Sequence, residues 1–126
     1  MLSRVSIHPK PLSRYREVAD PAVLENIEDL RAPLRGARVL HLNATAYGGG
    51  VAELLLSLVP LEAGLGLRAE WMTLRGDEQF FTVTKQLHNA LQGQPKAMTE
   101  AQAATYIAAN RDAAEAIGRY DVIIVH

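Results

Sequence analysis

The chain has 126 residues, 48% hydrophobic and 21% charged, an ordinary globular composition at a length that allows one domain and little more. Lys and Arg number 13 against 14 Asp and Glu, a formal net charge of −1, so no basic field exists to hold nucleic acid or an anionic membrane by charge. The absence of cysteine excludes a disulfide framework, a cysteine nucleophile and a thiolate metal site.

No apolar run approaches the roughly 18 residues of a membrane span. Met1 to Leu12 carries charges but no apolar core, so it does not read as a secretory signal. A cytoplasmic protein is the expectation.

Residues 1–36 read as a helical arm. Its first twenty residues, with Pro9 and Pro11, read as irregular. Asp20 before Pro21 is an N-cap with proline at the first helical position. Val23, Leu24, Ile27, Leu30 and Leu34 follow at helical spacing. Pro33 disturbs the end of that helix and Gly36 can cap it.

Residues 37–126 alternate between strands and helices. Arg38 to Ala44 is apolar nearly throughout, as a strand covered on both faces should be. Thr45 to Gly50 is a glycine-rich turn. Val51, Leu54, Leu55, Leu58 and Leu65 then give a helix, which Pro60 should kink or interrupt. Leu67 to Leu74 is a second strand in which Arg68 and Glu70 alternate with Ala69 and Trp71, a pattern suited to an outer position. Asp77 caps a helix running to about Gln92. Thr99 with Gln102 forms a capping box. The helix it opens shows an apolar face of Tyr106, Ile107, Ala113, Ala114 and Ile117, with Asn110 on that face expected to make a buried hydrogen bond. Val122 to Val125 is the last strand.

The order β-α-β-α-α-β predicts an α/β fold with a parallel, partial Rossmann-like sheet. The last strand should pair with the first and the second should lie outside. Ligands in such sheets bind beyond the carboxyl ends of the strands, at the switch point. The Gly48-Gly49-Gly50 loop and His126 both fall there.

Three glycines between strand and helix let a backbone approach a ligand closely, and the helix N-terminus behind them favours an anion. A tight turn that simply needs glycine explains the same residues. The dinucleotide fingerprint fails, because Glu53 occupies its third glycine position and the second strand ends without an acid. The P-loop ending is absent as well. Glu53 suits the macrodipole in a first helical turn, yet it would repel a phosphate on the helix end; a sugar hydroxyl fits it better.

In the helix after Asp77, Phe80, Thr84, Leu87 and Leu91 make one stripe. Phe81, Lys85 and His88 make a second, at i, i+4 and i+7. An aromatic ring, an ammonium and an imidazole can line a sugar pocket; a solvated border beside a core stripe is the plainer explanation. His41, inside an apolar strand, reads as a satisfied core histidine. The four histidines lack metal-ligand spacing, and no Gly-x-Ser-x-Gly is present. No metal and no resident cofactor are expected.

Three segments carry a resemblance. Val39 to Glu53, Gly76 to Gly93 and Asp121 to His126 resemble, in order, segments of the retaining, nucleotide-sugar-dependent trehalose synthases, whose fold is the two-domain GT-B. The likeness runs over roughly residues 24 to 126. Asn43-Ala44-Thr45 departs from the Asn-Ser-Thr of that family. The resemblance implies transfer of glucose from a nucleoside-diphosphate glucose to glucose, giving α,α-trehalose; related phosphorylases use phosphate. It places Gly48, Gly49 and Gly50 against the donor, and Thr45, Tyr47, Glu53, Phe81, Lys85, His88 and His126 on the sugar side. It assigns no catalytic residue. It implies a first half of a GT-B N-terminal domain, inactive alone, with small sugars as partners. The apolar last strand, or the arm, should promote self-association. A free-standing sugar-binding module is the alternative.

Overall fold

The computed structural model describes residues 2–94 and 96–126. Backbone contacts divide it into two compact units, one holding residues 3–73 and 119–126 and the other built on 74–118. Four strands, β1 (Leu2–Arg4), β2 (Arg38–Asn43), β3 (Arg68–Leu74) and β4 (Val122–Val125), form one sheet in the order β1-β3-β2-β4. β2 runs parallel to both β3 and β4, with Leu40 opposite Glu70 on one side and Ile123 on the other. The α/β, Rossmann-like architecture is therefore as the sequence predicts.

β2 is buried from Val39 to Asn43, which is why it lacks the alternation of a half-exposed strand. The chain passes from β2 to β3 on one side and from β3 back across β2 to β4 on the other, so the switch point lies between β2 and β4. β4 is pinned at its start. Arg38 N–H donates to Asp121 Oδ2 at 2.7 Å, and Asp121 N–H donates to the Arg38 carbonyl at 2.9 Å. Beside it the Tyr120 hydroxyl donates to Glu70. Burial, then the Glu70 carboxylate, hold that phenol above its usual range.

β3 has the predicted alternation, with Ala69, Trp71 and Thr73 buried, but it is not an outer strand, because β1 flanks it. The first twenty residues are likewise not irregular throughout. They supply β1 and a short 3-10 turn at Leu12–Tyr15. Val5 and Ile7 pack against the core, and Val5 N–H donates to the Trp71 carbonyl. The segment is too short to show a period of its own; pairing with β3 supplies its structure.

Two helices complete this unit. Helix α1 (Pro21–Arg31) starts as predicted, with the Asp20 side chain accepting from Ala22 N–H at 2.8 Å. None of its residues is buried. A 3-10 turn, Ala32–Leu34, follows where Pro33 ends the α pattern, and Gly36, beyond it, has a positive φ of 77°.

Helix α2 (Gly50–Gly64) buries Ala52, Leu55 and Val59 rather than Val51 and Leu54, which are exposed. So many apolar residues surround this helix that its periodicity does not identify the inward face. It also runs unbroken through Pro60. The missing N–H costs one helical hydrogen bond, while buried Leu55 and Val59 and half-buried Ala63 hold the helix against β3 on either side of the proline. The Pro60 carbonyl accepts from Lys10 N–H at 2.8 Å. The core of the unit is Ala52, Leu55, Val59, Ala69 and Trp71.

The other unit pairs helix α3 (Glu78–Leu91) with helix α4 (Glu100–Ala116). Both caps form as predicted: the Asp77 side chain accepts from Phe80 N–H, and Thr99 with Gln102 completes the capping box. Phe80 and Tyr106 lie parallel, ring centres 6.1 Å apart, and Gln102 donates to Gln86. Phe80 and Val83 are the buried residues of α3, while Leu91 is exposed. On α4 only Ala113 is buried, and Ile107 is exposed. Asn110 is exposed too. Its amide donates back to the Tyr106 carbonyl at 2.8 Å, so the expected buried hydrogen bond is a local one on the helix surface.

Candidate functional site

The carboxyl end of β2 passes into a turn that side chains hold in shape. Trp71 Nε1 donates to Asn43 Oδ1 at 2.7 Å, and Asn43 Nδ2 donates to the Thr45 carbonyl at 2.7 Å. Thr45 Oγ1 donates to the Tyr47 carbonyl at 2.9 Å and accepts from Tyr47 N–H at 3.2 Å. This chain runs from the core out to the glycines. The Tyr47 ring is 87% exposed, so it contributes nothing to the core.

Gly48 and Gly49 have φ of 70° and 85°. Gly49 caps α2 with φ 85° and ψ 155°, a region open essentially to glycine alone. No atom lies within 4 Å of a Cβ built at any of the three glycines. The loop's glycines thus serve backbone conformation and leave open space in front of them. Glu53 sits exposed in the first turn of α2. No Lys, Arg or His occurs between Asn43 and Glu53, so the loop holds no cation of its own.

His126 follows β4 at the same sheet edge, its backbone N–H donating to the Leu42 carbonyl at 2.9 Å. Its Nε2 lies 3.0 Å from His41 Nδ1, and His41 Nε2 lies 2.8 Å from Glu62 Oε2. His41 is fully buried and, as expected, satisfied. No buried side-chain polar atom lacks a partner among the described residues.

Thr45, Tyr47, Gly48, Gly49, Gly50, Glu53 and His126 therefore all sit at the carboxyl end of the sheet in one unit. Phe81, Lys85 and His88 belong to the other. There they form the outward stripe of α3, all three exposed, with Phe81 edge-on to Phe80 at 5.4 Å. Within that unit the solvated border is what Lys85 and His88 form.

Sequence reasoning missed Asn43, Trp71 and Glu62 as supports of the site. Glu62 had a signal: it stands seven residues after Leu55 and three after Val59, a carboxylate on the buried stripe of α2. Among the described residues no group of three or more His, Cys, Asp or Glu is placed to hold a metal ion. No described helix is long and apolar enough to cross a membrane.

A parallel pairing of β2 with β3 and β4, with a glycine turn at the switch point, defines a Rossmann-like α/β unit. The family described as "Trehalose synthase, N-terminal domain" matches residues 41–126, and the chain belongs to that family. A protein of Rubrobacter xylanophilus called trehalose synthase is 45% identical over 130 aligned residues, covering 100% of this chain and 31% of the relative. Trehalose synthases of Thermococcus litoralis and Pyrococcus furiosus are each 39% identical over 120 residues, covering 93% of this chain and 29% of the relative. The chain thus spans about three tenths of the length of the curated relatives it matches.

Proposed function

We propose that the chain supplies one wall of a trehalose-forming glycosyltransferase site. In this reading glucose passes from a nucleoside-diphosphate glucose to a second glucose, with retained configuration, giving α,α-trehalose. The observation that carries it is the glycine turn at the switch point, φ 70° and 85°, in a chain whose family is named for trehalose synthase. Gly48, Gly49 and Gly50 give the donor's sugar-phosphate part a close backbone approach. Thr45, Tyr47, Glu53 and His126 face sugar hydroxyls; for Phe81, Lys85 and His88 the acceptor role rests on the family resemblance alone. No resident cofactor takes part.

A departing diphosphate needs positive charge or amide dipoles aimed at it. The loop offers amides but no cation, and we assign the cationic share of that stabilisation to the rest of the enzyme. The isolated chain is therefore expected to form no trehalose from a nucleoside-diphosphate glucose and glucose; turnover by the chain alone would overturn this assignment. Titration calorimetry with glucose and with trehalose separates the enzyme reading from a free-standing sugar-binding module, which would bind either sugar tightly without a second domain. If phosphate replaces the nucleotide as co-substrate, the phosphorylase reading is correct.

For Lys85 and His88 the decisive measurement is kinetic. Fused to the remainder of a relative, Lys85→Ala or His88→Ala should raise the acceptor KM about tenfold, the worth of one charged hydrogen bond. Unchanged acceptor KM and turnover would leave both as solvated border residues.

The exposed apolar strand has a second consequence. Val122, Ile123 and Val125 are 47%, 46% and 72% exposed on a strand at the sheet's edge. Such an edge templates pairing with another chain. The isolated chain should self-associate through β4, and light scattering should show mass rising with concentration; a clean monomer at high concentration would refute this.

A further inference from the structure

The Glu62–His41–His126 series has a direction built into it. The His41 and His126 ring planes are within 15° of parallel, with centres 5.3 Å apart. Their nearest nitrogens are 3.0 Å apart. The centre separation exceeds the nitrogen separation by about one ring diameter, so both nitrogens lie on the line of centres. The rings meet edge to edge in one plane, with an N–H aimed at a lone pair.

Which nitrogen donates follows from the other end. A carboxylate only accepts, and a neutral imidazole carries one N–H and one lone pair. His41 Nε2, 2.8 Å from Glu62 Oε2, must therefore carry the proton. With His41 neutral, that leaves the lone pair on its Nδ1, so His126 Nε2 donates to it. Neutral His126 then keeps its own lone pair on Nδ1. His126 is exposed while His41 is fully buried, so a buried pair dictates the tautomer of an exposed ring at the sheet's carboxyl edge.

We propose that Glu62 and His41 are positioning residues that fix His126 with Nδ1 as an acceptor, and that this Nδ1 accepts a hydrogen bond from a hydroxyl of a bound glucose. The second half rests on the sugar-site reading given above; the first does not.

The substitution Glu62→Gln is the test, because it keeps the shape and no longer obliges His41 Nε2 to donate. A glutamine amide can donate to His41 Nε2. His41 then donates from Nδ1, and His126 turns round to accept on Nε2 and carry its proton on Nδ1. Long-range proton–nitrogen spectra of the 126-residue chain at neutral pH should show His126 as the Nε2–H tautomer. In Glu62→Gln a large fraction should shift to Nδ1–H. Circular dichroism should show the variant folded; if it is not, His41→Gln, whose amide can donate to Glu62 while its oxygen still accepts from His126 Nε2–H, should keep the parental tautomer, and a shift to Nδ1–H there would overturn the positioning role. Glucose in large excess should move the His126 Nδ1 signal, and Glu62→Gln should weaken that response about tenfold, the loss of one hydrogen bond. A parent chain with His126 already Nδ1–H, or a tautomer indifferent to Glu62, overturns the positioning role while leaving the sugar site standing. The expected tautomers with no glucose response at His126 would overturn the ligand half and count against the sugar site itself.

Discussion

Trp71→Ala should leave the chain largely unfolded. The indole is fully buried at the centre of the core formed with Ala52, Leu55, Val59 and Ala69. Truncating a buried tryptophan costs about 3–5 kcal/mol through lost transfer energy and the cavity left behind. A second loss adds to it. Trp71 Nε1 is the donor to Asn43 Oδ1, and without it a buried amide oxygen is orphaned, at about 1–3 kcal/mol. Native domains hold only about 5–15 kcal/mol in total, so the sum removes most of the margin. Trp71→Phe separates the two terms, because it keeps most of the volume and loses the donor. The measurement is urea unfolding followed by circular dichroism, since Trp71 is the only tryptophan and its own fluorescence is lost. A midpoint for Trp71→Ala near that of the parent would mean that the packing of β3 against α2 is wrongly described.

Gly49→Ala should strike the site rather than the core. With φ 85° and ψ 155°, Gly49 occupies backbone space that a Cβ makes costly, by about 1–3 kcal/mol. Nothing lies within 4 Å of the added atom, so the cost is conformational and the loop can escape it only by moving. Stability should fall modestly. In a full-length fusion, donor kcat/KM should fall about a hundredfold, the usual result of misplacing a substrate by about 1 Å. Gly118→Ala is the control, since its Cβ also meets nothing and its φ is not positive; it should behave as the parent. A Gly49→Ala fusion with parental turnover would remove the glycine loop from the donor site.

The elements of the fold differ in how far the sequence reveals them. β2, β4, the Asp20, Asp77 and Thr99 caps and the loop itself are legible, because each depends on residues within a few positions of one another. Strand β1 is not, since its structure comes from β3, some seventy residues away. The inward face of α2 is hidden by too many apolar candidates, and Pro60 misleads because tertiary packing outweighs one lost hydrogen bond. The site divides the same way. The residues lining the loop are readable from its composition, whereas Asn43, Trp71 and Glu62 act through contacts between elements and appear only once the sheet and α2 are assembled. Glu62 was the nearest to being visible, as an acid on a buried stripe.

The most direct test of the sugar-transfer reading replaces the aligned 31% of the Rubrobacter xylanophilus relative with this chain and assays the fusion for trehalose from a nucleoside-diphosphate glucose and glucose. The prediction is trehalose formation by the fusion, none by the 126-residue chain alone, and loss on Gly49→Ala. A fusion that folds cooperatively and forms no trehalose, beside a parent relative that does, would contradict the account.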